Sequence, residues 1–280
     1  MRPVILRLAV CGLVAIGCAG SAMAQVSVLR GSNAYQITTP QFRDWSGFYV
    51  GGQVGYPSAG VNFSGGVSSM LAEILRVTTL ENEFHPSGWA SLPKQNIARR
   101  SFGGFFGYNV QFGETIFGIE ANYNHTSMRV SSGDTVGRQV LTTDGYINQV
   151  TISGTGNVHL TDYGTLRARA GWIYNSLIPY GFAGLAVGRA SATKMASVTL
   201  YATDADPVEP PVLPDISFAE AESEGKSNTF GYGWTAGFGI DWLVLPNVFL
   251  RGEYEYVSFP NFQGVNIAIN TFQLAAGLKF

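Results

Sequence analysis

The chain has 280 residues, 35 of them glycine, with 13% charged and 13% aromatic side chains and a formal net charge of −2. So few charges of balanced sign exclude the basic footprint of a nucleic-acid-binding protein. Both cysteines, Cys11 and Cys18, lie near the start, so the rest of the chain has no thiol, disulfide or cysteine–metal chemistry.

Residues 1–24 carry Arg2 and Arg7, then an apolar run from Leu8 to Cys18, then Ala22-Met23-Ala24. That order predicts a secretory signal peptide cleaved after Ala24. A competing reading makes Cys18 a lipidated first residue, but Ala15-Ile16-Gly17 lacks the leucine usual three positions earlier. Beyond residue 24 no apolar run approaches the roughly 18–20 residues of a membrane helix. A bilayer could then be crossed only by a closed barrel of strands. Residues 25–44 are expected to form a short periplasmic lead, and residues 45–280 the barrel.

Eight segments alternate with period 2, the pattern of strands with different solvents on their two faces. The first sets Phe48, Val50, Val54 and Tyr56 against Tyr49, Gly51, Gln53 and Gly55. The second is built on Phe102, Phe106, Tyr108 and Val110, the third on Phe117, Ile119 and Tyr123, and the fourth on Leu166, Ala168, Ala170 and Trp172. The fifth, 180–189, is ambiguous in its facing, because Ala183, Leu185 and Val187 are also apolar. The sixth sets Tyr232, Trp234, Phe238, Ile240 and Trp242 outward, and the seventh Leu250, Tyr254 and Tyr256. The eighth runs through Phe272, Leu274 and Leu278 to the terminal Phe280.

Connections alternate between short, near 112–114, 175–178 and 243–247, and long, at 57–100, 126–159 and 190–228, with a shorter outer loop near 259–265. This rhythm predicts an all-β, eight-stranded, antiparallel up-and-down transmembrane β-barrel with long extracellular loops. Of the 12 prolines, only Pro179 falls in an expected strand.

Charges collect on the faces turned away from lipid: Glu120, Asp241, Glu253 and Glu255 with Arg167, Arg169, Arg251 and Lys279. Four acids and four bases in a narrow lumen predict a paired network, because pairing offsets the cost of burying charge. A loosely solvated interior is the alternative.

In the first long connection Leu71, Ile74, Leu75 and Thr78 recur near helical spacing, which suggests a short amphipathic helix on the barrel rim. The third long connection holds Asp204, Asp206, Glu209, Asp215, Glu220, Glu222 and Glu224. Hard oxygen ligands could hold Ca²⁺ or Mg²⁺ there, but no D-x-[DN]-x-[DN]-G spacing is present. A solvated acidic loop is therefore expected and no metal site is assigned.

Trp45-Ser46-Gly47-Phe48-Tyr49-Val50-Gly51-Gly52, Leu166-Arg167-Ala168-Arg169-Ala170-Gly171, Gly233-Trp234-Thr235-Ala236-Gly237, Arg251-Gly252-Glu253-Tyr254 and the Gly277-Leu278-Lys279-Phe280 end resemble a family of small alphaproteobacterial outer-membrane barrels. That family comprises surface antigens and hemin-binding porin-like proteins related to the OmpA transmembrane domain. The resemblance implies an outer-membrane location and a role in envelope integrity, surface interaction or limited solute passage. It also implies contact with outer-membrane lipids and lipopolysaccharide, and delivery to the barrel assembly machinery through the strand ending at Phe280.

His125 and His159 fall at the outer ends of neighbouring strands, and imidazoles there could ligate heme iron, as the hemin-binding relatives suggest. His125-Thr126-Ser127 is also similar to the His-x-Ser of outer-membrane lipid A deacylases, with base and nucleophile on one strand face. No cofactor and no catalytic residue are assigned. The expected role is structural or surface-interacting and not enzymatic, with a narrow porin or hemin receptor as one alternative and a lipid-modifying enzyme as another. A host or small-molecule ligand is not identified.

Overall fold

Alternation of side-chain polarity becomes a closed ring of strands in the computed structural model, which describes residues 44–63, 67–208, 212–262 and 265–280. The expected signal peptide and all of the lead before Asp44 lie outside the described residues. The strands are β1 (Gly47–Asn62), β2 (Gln95–Ala98), β3 (Ser101–Phe112), β4 (Thr115–Leu141), β5 (Tyr146–Trp172), β6 (Leu177–Asp204), β7 (Ile216–Leu245), β8 (Val248–Phe262) and β9 (Val265–Lys279). Each pairs antiparallel with its neighbour in the order β1-β3-β4-β5-β6-β7-β8-β9, and β9 returns to β1. Closure satisfies the edges of this eight-membered ring, and the short β2 is an extra strand beside the upper end of β1.

At one end the strands turn tightly. Gly113 (φ +61°) and Asn175 (φ +55°) supply the left-handed residues for the first two of these turns, and Pro246-Asn247 makes the third. These are the three short connections expected from the sequence.

The outward faces carry Phe48, Val54, Phe106, Ile119, Leu166, Phe238 and Leu274, all more than half exposed, with no charge among the outward positions of this belt. Trp172 and Trp242 lie toward the turn end, and Tyr56, Tyr123 and Tyr232 toward the other, so aromatic girdles flank the apolar band. In β6 the outward set is Ala183, Leu185 and Val187, while Tyr180 and Phe182 are buried inside, which settles the ambiguous fifth segment.

At the opposite end three of the four expected loops are largely strand. β4, β5, β6 and β7 are 27, 27, 28 and 30 residues long, whereas a bilayer crossing needs about 9–11. Residues 126–159 are thus a hairpin turning at 142–145, and much of 190–228 is a second hairpin. Of the acidic residues expected in a solvated loop, Asp204, Asp206, Asp215, Glu220, Glu222 and Glu224 are on or beside ordered strands, and Glu209 lies outside the described residues. Two prolines fall inside strands against expectation, each at a ladder break. Pro57 sits between the β3 pairing, which ends at Gly55, and the β2 pairing, which begins at Ser58. Pro260 sits in the irregular register between Phe259 and Phe262.

The expected helix in the first connection is present as α1 (Ser68–Leu75), followed by α2 (Thr79–Phe84). Leu71 and Leu75 are fully buried, Ile74 packs beside them, and Thr78 is the cap that accepts the Glu81 N–H of α2 at 3.1 Å.

Candidate functional site

The interior of the barrel is layered along its axis. Nearest the turns is an aromatic and aliphatic stopper of Trp45, Phe105, Ile116, Ile178, Leu243 and Phe249. Glycine makes room for such rings: a Cβ on Gly107 would lie 2.3 Å from the Tyr49 hydroxyl oxygen.

Above the stopper lies a charged layer. Arg167 reaches three carboxylates: its Nη2 is 2.5 Å from Glu120, and its Nη1 is 2.7 Å from Glu253 and 3.3 Å from Glu255. Arg251 bridges Asp241 (2.7 Å) and Glu120 (2.8 Å), and Arg169 joins Asp241 (2.6 Å) to Glu120 (3.4 Å). Tyr49 donates to Glu120 at 2.8 Å, Tyr180 and Gln273 donate to Glu253 at 2.5 Å each, and Thr235 donates to Glu255 at 3.0 Å. Aromatic faces take the remaining guanidinium surface: Arg169 lies 3.8 Å over Tyr180, Arg167 4.1 Å over Phe182, and Arg251 4.4 Å over Phe105. This explains why β6 turns aromatic residues inward.

All seven of these charged residues are at most 3% exposed. Lys279 is the exception among the eight expected lumen charges. It is half-buried near the turn end of the last strand, where its charge acts on Asp44, so the layer contains four acids and three bases. Above the charges Gln53 Nε2 donates to Asn122 and Asn124 at 2.7 Å each, and the Tyr163 hydroxyl lies 3.3 Å from that of Thr271. Side chains fill this narrow bore, as expected for eight strands.

Three neighbouring ladders then shift register at one level: His125/Met128 in β4–β5, Leu160/Asp162 in β5–β6, and Ala190/Ala192 in β6–β7. At these bulges the inward side chains change character. Below them β4 and β5 present Glu120, Asn122, Asn124, Arg167 and Thr165; above them they present Met128, Val130, Val150, Ile152, Val158 and Leu160, all buried. The four tall strands form a sheet with its own aliphatic core, covered on the concave side by Val67, Met70, Leu71, Leu75 and Leu80. A bulge is a suitable junction because it adds local bend and twist.

The two histidines sit at this junction, on the outer surface. His125 Nδ1 is 2.7 Å from Asp162, and Ser127 Oγ is 3.3 Å from His159 Nε2. Partial burial, and then the positive charge of Arg129, hold His159 below its ordinary pKa. In register His125 stands opposite Asp162 and His159 opposite Arg129, so the structure brings each histidine to a polar neighbour and not the two to each other. Ser127 shares the outer face with His125 but is bonded to His159. Among the described residues no group of three or more His, Cys, Asp or Glu side chains is placed to hold a metal ion.

The inner face of the tall sheet falls in segments expected to be loops. Its signal was present: Val150, Ile152, Val158 and Leu160 alternate with Thr151, Ser153, Asn157 and His159.

A family model described as an outer membrane protein beta-barrel domain matches residues 13–280. The 22 kDa outer membrane protein of Rhizobium leguminosarum bv. viciae is 27% identical over 160 residues, which cover 56% of this chain and 53% of that protein. The match therefore spans about half the length of this curated relative. Among solved structures, Ail of Yersinia pestis is 14% identical with a TM-score of 0.35, covering 84% of this chain and 99% of that one. OprG of Pseudomonas aeruginosa is 11% identical with a TM-score of 0.36, covering 84% and 96%.

Proposed function

The chain belongs to the outer membrane protein beta-barrel family, and from that premise we propose that it is a closed, non-enzymatic barrel whose task is to hold a tall β-sheet outside the cell for surface interaction. The observation that carries this reading is the filled bore. A stopper at the turn end, a layer of seven buried charges and an aliphatic core above the bulges succeed one another along the axis. Such an interior supports anchoring and display over solute passage. The charged layer does what a hydrophobic filling cannot easily do inside a lipid-facing ring: it ties β4, β5, β7 and β8 together through their side chains as well as through their ladders.

The same reading assigns the first 24 residues to a signal peptide removed after Ala24, and gives the strand ending at Phe280 to recognition by the assembly machinery. The outward belt would contact acyl chains, and the zone near the bulges the headgroups and lipopolysaccharide.

Single-channel recording in planar bilayers tests the reading. The refolded protein is expected to give no current above leak; discrete, reproducible conductance steps would overturn it in favour of a narrow porin.

A further inference from the structure

The tall sheet has two outer strands, and they end differently. The β4 edge is covered. The Ser91 N–H donates to Asp134 at 2.8 Å, the Ser132 hydroxyl donates to Pro93 O at 2.9 Å, and this same segment leads into β2. The β7 edge is open. β6 pairs with it from Ile216 to Lys226, whereas β8 joins it only from Trp234 downward. Over residues 216–228 the second side of β7 therefore has no strand partner among the described residues, and residues 219–228 are all exposed. An unpaired edge presents a row of N–H and C=O groups ready to accept another strand.

The side chains on that edge define what it can accept. Phe218, Glu220, Glu222 and Glu224 alternate on the concave face, so the acids repeat about every 7 Å. Across the ladder Glu220 faces Val198 and Glu222 faces Ala196, neither of which offers a charge, whereas Glu224 faces Lys194 and the next alternate position is Lys226, so the unmatched acids are Glu220 and Glu222. A second copy adding antiparallel about Glu222 would set glutamate against glutamate, which is unfavourable. Beside Phe218 the face ends in an apolar pocket of about 420 Å³, bounded by Ile74, Leu80, Leu200, Ala202 and Ile216.

We propose that the open edge of β7 captures an extended basic segment of another protein as an added antiparallel strand. Two lysine or arginine side chains at alternate positions of that segment face Glu222 and Glu220 in turn, and the next alternate residue, apolar, enters the pocket beside Phe218. Main-chain hydrogen bonds supply the attraction common to any strand, and the charge spacing with its apolar anchor selects this one. The inference rests on the surface-display reading.

The test uses the full protein in uncharged-lipid nanodiscs and a fluorescent peptide of two lysines alternating with threonines and ending in phenylalanine. Saturable binding is expected. It should fall at least tenfold in the Glu220→Gln/Glu222→Gln variant and at least threefold in Phe218→Ser, with both variants checked for heat-modifiable migration. N-methylation of one alternate set of peptide amides should abolish binding and methylation of the other set should leave it intact, because only one set faces β7. Equal binding of both methylated peptides, or of a peptide with clustered lysines, would show charge attraction alone and overturn strand addition. Absence of saturable binding would overturn it as well. Conductance of the same preparation keeps the two readings apart: a silent barrel that ignores the peptide defeats this inference only, whereas a conducting barrel defeats the display reading.

Discussion

The part of the molecule below the bulges and the part above them use the same strands with opposite polarity. Below, Leu166 and Phe238 face out and Arg167 and Glu253 face in; above, Thr151 and Thr155 face out and Ile152 and Val158 face in. The inner face takes whatever chemistry the outer solvent does not. In lipid the apolar side chains are drawn outward and the lumen must satisfy its charges internally; in water the apolar side chains gather inward and need a cover, which α1 and α2 provide. One chain therefore has two cores with different failure modes.

The largest expected effect breaks the lower core. Arg167→Ala removes the cation shared by Glu120, Glu253 and Glu255, and leaving buried carboxylates unpaired costs roughly 3–5 kcal/mol. Urea unfolding in lipid vesicles should show a loss of that order. A neutral result would mean that the interior is solvated and the network unimportant.

In the upper core, Leu71→Ala opens a cavity beneath the cover at a cost of about 2–5 kcal/mol. Its effect should stay local: limited proteolysis between residues 67 and 100 should accelerate while heat-modifiable migration of the barrel persists. Joint loss of both would show that the two cores are one cooperative unit.

A third change sharpens the boundary. Leu166→Arg, on the outward belt, should cost roughly 2–4 kcal/mol, whereas Thr151→Arg, on the outward face above the bulges, should be close to neutral. Equal losses in urea titrations of the two variants would place both positions in the same solvent.

The smallest effect is a pH response at the tip of the first tall hairpin. Partial burial pushes the Asp144 carboxyl up, but hydrogen bonds from Thr142, Thr79 and the backbone outweigh it and hold Asp144 below its ordinary value. A depressed folded-state value stabilises the folded form above the unfolded pKa and ceases to do so as pH falls through the folded one. The seating of α2 on the tip should thus loosen below about pH 4. Proteolysis near residue 79 as a function of pH reads this out, and an Asp144→Asn variant should show a weaker pH response there.

The barrel was legible in the sequence because each crossing pairs large aromatic and aliphatic side chains with glycine or polar ones, a contrast strong enough to read in nine residues. The tall hairpins were not read, because their outward residues are threonine and serine and their inward ones valine and alanine, a contrast that loop composition imitates. Seven of the eight lumen charges could be placed by parity alone. Lys279 had the right parity but stands too close to the turn end to reach the others, a matter of height that period-2 alternation does not encode. The partner of Ser127 was also beyond reach, since it depends on the register of β4 against β5 and on the bulge that interrupts it.

Hydrogen–deuterium exchange of the protein in nanodiscs tests most directly whether the strands continue past the membrane with a core of their own. Amides of residues 147–158 in β5, paired on both sides and lined inwardly by Val150, Ile152 and Val158, are expected to exchange slowly, on the timescale of the crossing strands. Exchange of that stretch within the first seconds would mean a solvated loop, and would contradict the account at its centre.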